Sequence, residues 1–478
     1  MDNRKKASEA DTDADELMLA NISANIGDFY EKTTDVTVNQ VLNKMTKFVI
    51  FRNLFTVSFA FMLLFSAFDS FANLQSSLNK EDGLGTSGMA LVYTAMVLTS
   101  LFLNPFTMAR FSYKWIMVVS MSAYILYVST GFYPAWSTII PASLILGMGA
   151  AHLWLAVQAY ITDIAKRYAY ITQSNVQDRV YLFLGIFYAF LYTGNIWGNL
   201  ISSLVFQRKS VNTTSKDTLS LCGSNFCPYK ETNDSIITPP SRRQVYIYTG
   251  VCTGMCSLAL ILMLLFLTDT SSGGQQIISI CKKLRQVTVQ IFTSRNQMLL
   301  TFATLLSGLG GGFTAGDFTS AYISCPYGIE NVGFVMITYG VSQSLFSVLF
   351  GKLNQYTGHV AIYIFGFLAQ LSAYLTLLLW SPKSSEYGVV YVLASLFGIG
   401  GAINTPLVAA LYNIYFEKDR DVALSSFRAI SSVGWAAAFG YSSWLCTVYK
   451  VYTLICVLVI ALVTIILLDV VHKKEKKR

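Results

Sequence analysis

Asp69, in SAFDSFANLQ, and Asp317, in TAGDFTSAY, each interrupt a long apolar run. A charged side chain inside a membrane span is costly, so it normally faces a cavity or a partner. The two are therefore candidate cavity or ion-coupling carboxylates, able to exchange a proton or hold a cation. The competing reading places them at the watery ends of their helices, about two turns away. His152 is a lone imidazole in an apolar run, suited to packing rather than ligation. Arg428 lies about one turn into its run and is long enough to snorkel to water. Trp154, Tyr160, Tyr188, Tyr192 and Trp197 are candidates to line a cavity or to form interfacial belts. There is no GxxxxGK[ST], no HExxH, and no GxGxxG between strand and helix. With histidines only at 152, 359 and 472, neither a metal site nor a His-based triad is expected, and no enzyme, catalytic residue or cofactor.

Eight cysteines are present. Cys222 and Cys227 lie in a polar stretch, 207–243, that also holds the sequons Asn212-Thr-Thr214 and Asn233-Asp-Ser235. All of these suit an oxidising, lumenal or extracellular compartment. The expectation is a small Cys222–Cys227 disulfide loop, with glycans on Asn212 and Asn233. Zinc is the competing reading and lacks a nearby His or third Cys. Cys252, Cys256, Cys446 and Cys456 are expected in spans, Cys281 on the cytoplasmic side, and Cys325 alone on the outer side.

Membrane helices must position these groups. Apolar residues make up 54% of the chain, charged residues only 13%, where a soluble domain has about twice that charge. Apolar runs fall near 50–73, 87–109, 115–133, 138–161, 180–206 and 244–268, then near 298–323, 331–353, 360–380, 388–415, 424–446 and 451–470. Each is near the ~20 residues that a span needs. The expected order is a cytoplasmic tail (1–47), a six-helix bundle (48–268), a cytoplasmic linker (269–297), a second six-helix bundle (298–470) and a basic tail (471–478). The first tail has no signal-peptide pattern; its sequon Asn21-Ile-Ser23 would be idle there, and Ser8 precedes an acidic run. With these spans, 24 of the 34 Lys and Arg fall on the side of the termini and nine on the other, which predicts cytoplasmic termini. The +8 net charge is spread in short clusters between the runs, so it speaks for membrane topology and against nucleic acid.

An internal repeat sets the architecture. Leu146–Tyr160 reads LGMGAAHLWLAVQAY and Phe397–Tyr412 reads FGIGGAINTPLVAALY, so Gly147, Gly149 and Ala151 match Gly398, Gly400 and Ala402 at one offset. Small residues let membrane helices bring their backbones close. Asp69 and Asp317 repeat at nearly the same offset, in helices 1 and 7. Two parallel six-helix halves around a central cavity are the major-facilitator arrangement, an all-α membrane fold of twelve spans. Gly308, Gly310, Gly311, Gly312 and Gly316 are expected to make helix 7 pliable near Asp317.

The wording itself resembles a family. LQSSLN (Leu74–Asn79), EDGLG (Glu81–Gly85), Lys114-Trp115, LGMGAAHLW (Leu146–Trp154) and WGNLISSLVF (Trp197–Phe206) look like the uncoordinated-93 (Unc-93-like) family, a divergent major-facilitator-like branch. His152 departs from the family's wording, often Pro there. The resemblance implies a non-catalytic membrane protein. Its founding nematode member regulates a two-pore-domain potassium channel, and a vertebrate branch escorts Toll-like receptors to endolysosomes. The short C-terminal tail is more like the plain branch. Facilitators carry GxLxDxxGRK between helices 2 and 3; here Pro105, Ala109 and Ser112 replace Gly, Asp and Gly, and the second copy, Gly351 to His359, has Gln355 for Asp. Loss of both gate carboxylates argues against ordinary alternating access. The expected function is a channel accessory subunit, embedded in lipid at the plasma membrane, with the endolysosomal membrane as the other location. A cation- or proton-coupled carrier and a receptor trafficking chaperone are the alternatives.

Overall fold

The structure is a computed structural model that describes residues 46–78, 83–104, 107, 110–174, 176–206, 221–228, 240–269, 294–383, 385–416 and 420–477. The expected N-terminal tail up to residue 45, Cys281, Pro105, Ala109 and both candidate glycosylation sites, Asn212 and Asn233, lie outside those residues.

The helices run in chain order as α1 (Lys47–Leu78), α2 (Leu84–Phe102), α3 (Tyr113–Ser129), α4 (Trp136–Thr172), α5 (Val176–Phe206) and α6 (Arg242–Phe266). The second set begins with α7, helical over Arg295–Phe313, π-helical over Thr314–Ser324, and closed by a turn at Cys325–Tyr327. It continues with α8 (Glu330–Thr357), α9 (His359–Leu379), α10 (Gly388–Tyr415), α11 (Arg420–Ser442) and α12 (Thr447–Lys477). Helices suit lipid because every backbone group finds its partner within the segment. Their ends are marked locally. Ser241 and Gln244 form a reciprocal capping box at the start of α6, with Oγ accepting the Gln244 amide at 3.3 Å and Oε1 accepting the Ser241 amide at 3.2 Å. Gln173, at φ 53°, ends α4 in the left-handed conformation.

Among the described residues nine helices are both long and apolar enough to cross a membrane. The remaining three, α5, α8 and α11, lie where the two halves meet. In the first half α1 packs on α5 and α6, α2 on α4, and α3 on α4 and α6. In the second, α7 packs on α11 and α12, α8 on α10, and α9 on α10 and α12. Adding six to each label in the first set gives the second. The seam obeys the same rule: α2 meets α11, α5 meets α8, and α1 meets the π-helical part of α7. The molecule is therefore two six-helix pseudo-repeats of the major-facilitator type.

One expectation is overturned. Cys222 and Cys227 do not bond to each other: Cys222 bonds Cys325 and Cys227 bonds Cys446. The segment 221–228 lies across one end of the second half, where Gly223 packs against Pro382 and the Phe226 carbonyl accepts the Thr447 amide at 3.0 Å. Cys325 closes α7 at that end, and Cys446 sits in the turn between α11 and α12. Each loop cysteine thus meets a helix-end cysteine, across 103 and 219 residues of chain. Cys325 is not alone on its side, and Cys446 is not within a span, because α11 and α12 each begin about four residues earlier than the apolar runs suggest.

Candidate functional site

Asp317 lies in the π-helical segment, 3% exposed. π-helix is rare, found mostly as single turns and frequently at functional sites. Lys450 Nζ donates to Asp317 Oδ1 at 2.6 Å and to the Ser442 carbonyl at 2.9 Å, and Ser442 Oγ donates to the same Oδ1 at 2.7 Å. Both ion-pair side chains are buried, and Asp317 Oδ2 has no hydrogen-bond partner. This cluster joins α7, α11 and α12 inside the second half. Glycines bring it together: a methyl on Gly308 would strike the Ser431 carbonyl, and one on Gly312 the Ala438 methyl, so α7 lies directly on α11. Asp317 is therefore answered by an internal cation.

Lys450 is the residue missed from the sequence. It fell one position outside the apolar run that begins at 451 and counted as an outer-side charge. In the structure α12 begins at Thr447, which puts Lys450 inside the helix. The available signal was that α12 neighbours α7 in this topology, and intramembrane charges pair with one another.

Asp69 has different surroundings. It is half-buried on α1 and makes no hydrogen bond or ion pair among the described residues. No hydrogen bond or ion pair joins the two carboxylates.

The seam itself is aromatic. Tyr93 on α2 stacks on Trp435 of α11 at 4.9 Å between centroids, and Thr86 Oγ1 lies 2.6 Å from Ser443 Oγ. Arg428 does not snorkel to the terminal face but reaches into the other half. Its guanidinium stands 4.9 Å over the Trp154 ring of α4, and Nη2 donates to the Tyr188 hydroxyl of α5 at 3.4 Å. Tyr192 stacks on Tyr188 at 5.9 Å. Thus Trp154, Tyr188 and Tyr192 gather around Arg428. Tyr160 is buried elsewhere, donating to the Thr268 carbonyl at 3.0 Å, and Trp197 points outward, 52% exposed. His152 Nδ1 lies 2.8 Å from the Met148 carbonyl, in a shallow apolar groove between α3 and α4.

The repeat glycines hold equivalent contacts. A methyl on Gly147 would meet the Val92 carbonyl of α2, and one on Gly398 the Tyr339 carbonyl of α8. Gly149 faces Ala123 of α3, as Gly400 faces Gln370 of α9. Each α4/α10 glycine pair thereby fixes one helix against two neighbours, the relation that six-fold relabelling requires.

Residues 300–478 match the Major Facilitator Superfamily. In fold alone the chain is similar to a D-xylose-proton symporter, with a TM-score of 0.61 at 11% identity over 87% of this chain and 96% of that one. In sequence it is 36% identical to Protein unc-93 homolog A of Xenopus laevis, over 89% of this chain and 95% of the relative. It is 28% identical to the Putative potassium channel regulatory protein unc-93 of Caenorhabditis elegans, over 82% of this chain and 57% of the relative. Identity held along nearly all of both chains, on a fold of two matched six-helix halves, makes this chain a multi-pass membrane protein of the Unc-93 family.

Proposed function

We propose that the chain is a non-catalytic regulatory subunit that binds a two-pore-domain potassium channel in the plasma membrane and alters potassium flux and membrane potential. In this reading both termini are cytoplasmic, and the 207–243 loop is exoplasmic and glycosylated at Asn212 and Asn233. The observation that carries it is the nematode relative, named as a putative potassium channel regulatory protein and matched over 82% of this chain. The Asp317–Lys450 pair supports it, since a carboxylate neutralised within its own half is poorly placed to couple a moving ion. A second reading, a cation- or proton-coupled carrier, is favoured by Asp69 alone, half-buried and unpaired. Two experiments separate them. The purified chain in proteoliposomes should move no solute, and a tagged two-pore-domain channel should co-purify with it from co-expressing cells. Uptake by the chain alone, lost on Asp69→Asn, with no channel co-purifying, would overturn the regulatory reading.

A further inference from the structure

Arg428 is a permanent cation placed between the halves, and among the described residues no acidic side chain pairs with it. Ion pairs such as Lys450–Asp317, Lys473–Asp469 and Lys383–Glu386 lie elsewhere in the fold. A carboxylate stranded in such a place can take up a proton; a guanidinium cannot shed one. The Trp154 ring beneath it belongs to the middle of α4. A ring face is attractive to a cation but carries no net charge.

Tyr188 adds direction. Its hydroxyl accepts from Gln158 Nε2 at 3.1 Å and from Arg428 Nη2 at 3.4 Å. A hydroxyl has two acceptor sites and one proton, so with both acceptor sites filled the proton is left to donate. The remaining guanidinium N–H groups and the Tyr188 O–H therefore offer donors beside the Trp154 and Tyr192 rings. All five side chains, Trp154, Gln158, Tyr188, Tyr192 and Arg428, remain partly accessible, so the cluster borders open space. An anion would meet both those donors and the guanidinium's charge, and the ring walls favour one with a flat apolar body.

We propose that this cluster is a binding site for an organic anion, its charged oxygens held by Arg428 and Tyr188 and its body stacked against Trp154 and Tyr192. The site needs no channel, so its test stands apart from the regulatory reading. Full-length protein in phosphatidylcholine nanodiscs is titrated with benzoate and with neutral benzamide, read by tryptophan fluorescence, with Trp154→Phe to locate the signal. Benzoate should give a saturable change and benzamide none. Arg428→Gln should weaken it by about ten- to hundredfold and Tyr188→Phe by about three- to tenfold. Arg428→Lys keeps the charge without the planar fork and should also weaken it, which preserves the test if the glutamine variant does not fold. Added phosphatidylglycerol tells the source of the natural occupant: competition with benzoate points to the bilayer, no competition to water, and either fits the site. An equal response to benzamide, no saturable response, or unchanged affinity in the Arg428 variants overturns the proposal.

Discussion

Asp317 has one oxygen shared by two donors and one with no partner, and this asymmetry decides what its substitution does. Replacing Lys450 by Met leaves a buried carboxylate with a single hydroxyl donor, and should cost about 3–5 kcal/mol, the usual penalty for breaking a buried pair from one side. Asp317→Leu strands the ammonium and should cost a similar amount. The double variant removes both charges and should lose much less than the sum. Thermal unfolding followed by size-exclusion chromatography checks this; additive losses would mean that the two groups do not act as a pair. At this scale the sequence was half legible. Asp317 and Arg428 stood out as charges in apolar runs, but Lys450 was hidden by a boundary error of a few residues, and only helix ends placed in space reveal that its ammonium reaches Asp317.

Two element-scale features carry their own tests. The segment 221–228 is fastened to the ends of α7 and α12 rather than to itself. Non-reducing peptide mapping should recover Cys222 with Cys325 and Cys227 with Cys446; a peptide linking Cys222 to Cys227 would contradict the fold at that end. Spacing suggested the local loop because four intervening residues permit it, while the true partners come near only through the packing of the second half. Helix packing is the other feature. Gly147→Val and Gly398→Val insert side chains where a neighbouring carbonyl already lies, and overpacking of this kind costs about 1–3 kcal/mol or more. Both should lose monodisperse protein in detergent. Gly254→Ala, where an added methyl meets nothing within 4 Å, should not. These glycines were legible because bunched small residues repeat in wording. The glycines of α7 were read for pliability, but Gly308 and Gly312 serve close approach to α11.

For the whole molecule, twelve apolar runs and one repeated offset were enough to find the two halves, since a span's length is set by the bilayer and a duplicated half keeps its pattern. The seam was not legible. Helices α5, α8 and α11 meet the opposite half, yet in sequence they read as apolar runs like the others, and Arg428 looked like a snorkelling residue until Trp154 and Tyr188 came beside it. The central claim is that a protein with this carrier-like fold serves another membrane protein. The most direct measurement is potassium current through a two-pore-domain channel expressed with and without this chain, at equal channel abundance on the cell surface. The account predicts that the current changes when the chain is present, and that the change survives Asp69→Asn, which removes the unpaired carboxylate without touching the buried ion pair. A current identical with and without the chain, across the channels tested, would contradict it.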